Sequence, residues 1–145
     1  MTQKFIPIVL TAAILFACNV RTKDKLANDE AKQFEMLMND TTTVQIIDSA
    51  YDFGKVTDGE KVEFKYRFKN TGTKPLLITN ASASCGCTVP QKPDKPISPG
   101  DTGFIKVVFD SKGRVGSAHK TINVIANARP LFPTLSLTGE VLKKE

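Results

Sequence analysis

Polar and apolar residues trade places at every step from Lys61 to Lys69. Lys61, Glu63, Lys65, Arg67 and Lys69 are charged, and Val62, Phe64, Tyr66 and Phe68 between them are apolar. A period of two predicts a β-strand with one face in a core and one in water, because successive strand side chains point to opposite sides. A helix is excluded, since at about 100° per residue the four apolar side chains would scatter around the cylinder. The same period recurs downstream. Ile105, Val107 and Phe109 share one face of a strand over Phe104–Phe109. Ala118, Lys120, Ile122, Val124 and Ala126 alternate with His119, Thr121, Asn123 and Ile125 in another, and Leu135, Leu137 and Val141 mark a last strand over Thr134–Leu142.

Punctuation between these runs completes the pattern. Val44–Ile47 with Tyr51-Asp52-Phe53 reads as a first strand region, closed by a Thr57-Asp58-Gly59 turn. Asn70-Thr71-Gly72 turns the chain into Lys74–Thr79, where Pro75 suits the first residue of a strand. Gln91–Pro99, rich in proline and preceded by Pro90, is an extended loop with few backbone donors. Ser111-Lys112-Gly113 and Gly116 mark the next turn. About seven short strands with no helix between them predict an all-β, immunoglobulin-like antiparallel β-sandwich over residues 43–145. Phe64 and Phe68 are each expected to contribute ~1.5–3 kcal/mol by burial.

The first 42 residues follow other rules. Lys4 precedes an apolar run from Phe5 to Phe16, broken only by Pro7 and Thr11. That run is too short to cross ~30 Å of hydrocarbon as a helix and suits the hydrophobic region of a signal peptide. Residues 1–17 therefore read as an export signal. Leu15-Phe16-Ala17-Cys18 resembles the lipobox of bacterial lipoproteins, which implies cleavage before Cys18 and its acylation. An ordinary signal peptide and a retained anchor are the other readings of the same stretch. Residues 18–42 are polar, with Leu26, Ala27, Ala31, Phe34, Leu37 and Met38 at roughly helical spacing, and predict a partly helical tether. The lipoprotein resemblance implies a bacterial cell envelope. Asn19 and the absence of an acidic run after Cys18 favour an outer-membrane anchor facing the periplasm.

Composition changes this picture little. A chain of 145 residues, 41% of them hydrophobic, supports one core, with nine Phe and no Trp to fill it. A formal charge of +5 by itself admits nucleic acid, but the basic residues are scattered and the export signal argues against that partner.

Cysteine changes it more. With Cys18 consumed by lipid, Cys85 and Cys87 of Ser84-Cys85-Gly86-Cys87-Thr88 are the remaining thiols, an even number where disulfides are permitted. In an extended strand, residues two apart share a face, so both sulfurs can meet one partner. Gly86 removes a side chain that would hinder a tight turn, so the pair can also close on itself as a small-ring disulfide, more easily reduced than an unstrained bridge. Three readings stand. The pair is a static staple or two quiet thiols, a labile disulfide exchanging with client thiols, or a Cu(I) site, since two thiolates suit a soft metal. A closed zinc site needs about four ligands, and the one histidine, His119, is far away in sequence and reads as an exposed strand residue.

No conventional catalytic residue is assigned. There is no glycine-flanked serine of the nucleophile-elbow type, no His-Glu pair at helical metal spacing and no phosphate-cradling glycine loop. Asp48, Asp52, Asp58 and Asp110 fall at turns or strand ends, where an aspartate usually bonds nearby backbone. Asp40-Thr41-Thr42 and Asp48-Ser49-Ala50 resemble the acidic-hydroxyl-apolar motif of some periplasmic O-glycosylation systems.

Phe53-Gly54-Lys55-Val56, Gly59, Phe68-Lys69-Asn70-Thr71-Gly72, Pro75-Leu76, Ser84-Cys85-Gly86-Cys87-Thr88, Pro99-Gly100 and Gly116 occur in one order over Ile47 to Asn127. In that order and spacing they resemble the bacterial family designated domain of unknown function one-five-seven-three. The resemblance implies an immunoglobulin-like module of the kind also found in sperm and cilium-associated proteins, exported and often lipid-anchored. It implies no mechanism. The expected function is that of a lipid-anchored envelope module for protein interaction or structure, its partner another envelope protein. The alternative is thiol-redox or Cu(I) chemistry at Cys85 and Cys87, with no other cofactor.

Overall fold

The computed structural model of the chain describes residues 40–145 and, before them, Lys32, Glu35, Met36 and Asn39, whose backbone is helical. The expected signal peptide, the expected lipidation site Cys18 and most of the expected tether lie outside the described residues.

Eight strands form two sheets. They are β1 (Val44–Ile46), β2 (Ala50–Thr57), β3 (Lys61–Asn70), β4 (Ile78–Ala83), β5 (Thr88–Gln91), β6 (Thr102–Asp110), β7 (Gly116–Ala126) and β8 (Leu135–Leu142). One sheet has the order β1-β3-β6-β5 and the other β2-β8-β7-β4. The alternation of β3 is realised as read: Val62, Tyr66 and Phe68 are buried, Phe64 is half-buried, and the charged residues face water. Against β3 runs β6, with Phe68 opposite Gly103 and Phe64 opposite Val107. A Cβ at Gly103 would lie 2.6 Å from Cε2 of Phe68, so glycine lets that ring lie flat on the neighbouring strand. Phe68, Ile105 and Phe109 from one sheet meet Ile122, Leu135 and Leu137 from the other in a core that excludes water.

Three features depart from the sequence reading. First, the single strand region expected over Val44–Phe53 is two strands in different sheets. Backbone N–H groups of Ile47 and Asp48 both donate to the Arg67 carbonyl, and Asp48 Oδ2 accepts from Arg67 N and Nε. These bonds hold the corner that carries the chain across to Ser49, whose carbonyl accepts from Ser136 N. Second, β2 then pairs with β8 in parallel, so that sheet is mixed and not wholly antiparallel. A bulge between Asp52 and Lys55 re-registers the pair. Gly54 supplies it with a φ of 68°, and its N–H donates to Asp52 Oδ1 at 2.8 Å. Third, residues 88–91 form a short edge strand, β5, on β6, which moves the cysteines out of any strand and into the β4–β5 connection. Its Pro90 is tolerated because an edge strand leaves half its donors unused.

A side-chain hydrogen bond ties the layers together. Tyr66 in β3 donates its hydroxyl to the Ser136 carbonyl in β8 at 2.6 Å, and burial pushes that phenol up to about 12. At one end Asn70, 0% exposed, uses its whole amide. Its Oδ1 accepts from Thr42 Oγ1 and Gly72 N, and its Nδ2 donates to the Lys74 and Ile97 carbonyls. Asn127 does the same for Leu77 N and the Asp40 and Pro75 carbonyls. Loops that pair only through the isolated bridges of Leu76 with Ile97 and Thr42 with Ala128 thus have further backbone groups satisfied by two side chains.

Candidate functional site

The chain leaves the β2-β8-β7-β4 sheet at Ala83 and enters the β1-β3-β6-β5 sheet at Thr88, and the four residues between are Ser84-Cys85-Gly86-Cys87. Both ends of this crossing are fastened by backbone. Ser84 N donates to the Thr121 carbonyl at 2.9 Å, and Thr121 N donates to Ser84 Oγ. Asp110 N donates to the Cys87 carbonyl at 2.9 Å, and Thr88 N closes the turn on the Cys85 carbonyl. Held this way, Cys85 and Cys87 form a disulfide, their Cα atoms 5.3 Å apart. Of the two arrangements read from the sequence, the chain adopts the small-ring disulfide and not the extended presentation of both sulfurs on one strand face.

The bridge sits at the boundary of core and solvent. Cys87 is 7% exposed and belongs to the core, whereas Cys85 is half-buried. Gly86 is exposed, and beyond its chain neighbours a Cβ there would meet nothing within 4 Å. Thr88, which the sequence reading gave no role, is 3% exposed, and its hydroxyl lies 3.7 Å from each of the two sulfurs. Its register partner Phe109 carries the Lys120 ammonium 5.9 Å from its ring centroid. Lys120 is half-buried on the inward row of β7. With both sulfurs engaged in the bridge, neither is available as a thiolate ligand until the bridge is reduced. Among the described residues no three His, Cys, Asp or Glu side chains are grouped to hold a metal.

Other sequence candidates are dispersed. His119 is exposed on the outer face of β7, opposite Thr138 of β8. The four aspartates bind backbone: Asp52 accepts from Gly54 N, Asp58 from Gly113 N, Asp110 from Lys112 N and Asp48 from Arg67 N. Thr41 and Ser49, the hydroxyl positions of the two glycosylation-like motifs, are exposed. Thr42 is buried and bonded to Asn70.

A family model described as a protein of unknown function, DUF1573, matches residues 44–141. The chain belongs to this family. No curated protein matches it. In fold the DUF1573 domain is similar to a protein of unknown function from Porphyromonas gingivalis W83, with a TM-score of 0.58 and 19% identity over 69% of this chain and 47% of that one. The chain thus spans about half the length of that structure. It is also similar to an ASH/PapD-like domain of human CEP192, with a TM-score of 0.56 and 15% identity over 72% of this chain and 89% of that one. At these identities the likeness concerns the fold.

The outer faces of the DUF1573 domain complete the inventory. On the β1-β3-β6-β5 face, Lys61, Lys65, Arg67 and Lys69 of β3 stand beside Phe104 and Lys106 of β6 and Val89 of β5. Lys65 lies directly opposite Lys106, and Arg67 opposite Phe104. Lys106 pairs with Glu63 at 3.0 Å and Arg67 with Asp48 at 2.7 Å, while Lys61, Lys65 and Lys69 have no ion pair among the described residues. Arg67 holds the Asp48 carboxyl below its usual range through their hydrogen bond. Phe104 is 46% exposed and Val89 54%.

Proposed function

We propose that the protein is an exported, lipid-anchored interaction module of the bacterial cell envelope. Cys18 carries the lipid, residues 18–42 are the tether, and the DUF1573 domain docks another envelope protein through the outer face of β1-β3-β6-β5. The observation that carries this reading is Phe104. A large aromatic ring stands in water opposite Arg67, in a field that also sets Lys65 against Lys106. Like charges directly opposite one another in a sheet are destabilising, and an exposed ring contributes little to folding. Both become favourable against an acidic surface that offers an apolar pocket, where an aromatic anchor gives affinity and the basic ring around it gives orientation and rate. Pairing among the lysines' neighbours leaves three ammonium groups for such a partner.

The test uses membranes of the native host. Wild-type protein is expected in the membrane fraction with the mass of an acylated Cys18, and Cys18→Ala is expected to be released. A partner protein should remain bound to the wild type after mild detergent extraction, leave at high salt, and be lost from Phe104→Ser. An unacylated Cys18, or a partner held equally by Phe104→Ser, would contradict the proposal.

A further inference from the structure

Thr88 is an odd residue to bury. Its hydroxyl is withdrawn from water, and the side-chain partners it meets are the two sulfurs of the bridge, each 3.7 Å away. Divalent sulfur is a weak acceptor. A buried hydroxyl with weak partners costs free energy that an isosteric valine would not. The same hydroxyl becomes a good donor when one of those sulfurs is a thiolate, because hydrogen bonds to charged acceptors are about twice as strong as neutral ones. Thr88 therefore suits the reduced pair better than the oxidised one. A second observation concerns access. Cys85 is half-buried and Cys87 only 7% exposed, and no part of the fold beyond its chain neighbours crowds the open side of Gly86. An incoming thiol reaches Cys85 first.

We propose that Cys85–Cys87 is a thiol–disulfide exchange site for a solvent-exposed protein dithiol, with Thr88 as the positioning residue that favours its reduced form. A client thiolate attacks Cys85 Sγ. The bond between Cys85 and Cys87 breaks, a new disulfide joins the client to Cys85, and the electron pair departs on Cys87 Sγ, which accepts the hydrogen bond of Thr88 Oγ1. The client's second thiolate then attacks the client sulfur of the mixed disulfide, closing the client's own bridge and releasing Cys85 as a thiolate. Two electrons pass from the client dithiol to the pair; of the two protons the client gives up, Cys85 takes one and the other goes to solvent, leaving Cys87 a thiolate that accepts from Thr88. This site is independent of the docking face and of lipidation at Cys18.

The experiment equilibrates the full chain carrying Cys18→Ser, so that only the pair titrates, with mixtures of reduced and oxidised dithiothreitol. Thr88→Val is expected to favour the bridge about tenfold more than the parent does, a fall in reduction potential of about 30 mV. Thr88→Ser should restore the parent value, and the melting temperature of oxidised Thr88→Val should not fall. Agreement of parent and Thr88→Val within twofold would overturn the role of Thr88, and a bridge that is reduced only as fast as the domain unfolds would overturn the exchange site. Should Thr88→Val not fold, the single-cysteine variants decide through their reaction with glutathione disulfide. The proposal requires Cys85 in Cys87→Ser to react at least tenfold faster than Cys87 in Cys85→Ser; equal rates would contradict it.

Discussion

The two outer faces of this sandwich are built by the same alternation and end up with different chemistry. Behind both lies one shared core. The face of β1-β3-β6-β5 presents Lys61, Lys65, Arg67 and Lys69, with Glu63 among them, along β3 beside the exposed Phe104. On β2-β8-β7-β4 the outward residues of β7 and β8 include the hydroxyl and amide bearers Ser117, Thr121, Asn123, Ser136 and Thr138, together with His119, an exposed Ile125 and an ion pair from Lys55 to Glu140. Solubility is served equally well by either. A largely hydroxyl and amide face explains itself as a surface in water, whereas like charges set opposite one another work against folding and an exposed ring contributes little to it; the proposed partner accounts for both. This difference is the ground on which the docking face is proposed.

The strongest way to break the comparison is to remove what the faces share. Phe68→Asp places a charge against Phe132 and Gly103 in the core and is expected to abolish cooperative unfolding in a thermal melt; a sharp transition near the wild-type temperature would contradict the core assignment. Next comes Asn70→Ala, which removes at a fully buried position the side-chain bonds to Thr42 Oγ1, the Gly72 N–H and the Lys74 and Ile97 carbonyls and should cost about 3 kcal/mol in urea denaturation.

Tyr66→Phe separates the sheets by one bond, for about 1 kcal/mol at neutral pH. This residue also sets an alkaline limit. Because its folded value is raised above that of the unfolded chain, its contribution is fully present below about pH 10 and is lost as pH rises toward about 12, with absorbance of the ionised phenol accompanying unfolding. In Tyr66→Phe that loss should be absent.

Smaller effects sharpen the contrast of the faces themselves. Asp48→Asn removes an exposed bond to Arg67 worth under about 1 kcal/mol. Since the Asp48 carboxyl is held below its ordinary value of 3.8, wild type and variant should differ above that pH and converge as pH falls through the folded value.

Legibility in the sequence followed how local each signal was. β3, β6 and β7 were readable because strict alternation records both the strand and its buried side. Phe104 was already on the polar side of its run, so its exposure was implicit in the pattern. The parallel β2–β8 pair was not readable, since partners at opposite ends of the domain leave no trace in either segment. β5 was masked by Pro90 and by its length of four residues. Asn70 looked like a turn residue because Thr71-Gly72 follows it, and nothing local shows that its amide also reaches the Ile97 carbonyl. Thr88 stood in plain view beside the cysteines, but the significance of a hydroxyl there depends on its burial, and burial depends on β6.

The proposed docking face is tested most directly by placing a photo-cross-linking residue at position 104 in one variant and at position 138, on the opposite face, in another, and irradiating living cells. The account predicts a discrete protein adduct from position 104 that fades as salt is raised in isolated envelopes, and none from position 138. Adducts of equal yield from both positions, or an adduct from position 138 alone, would contradict it.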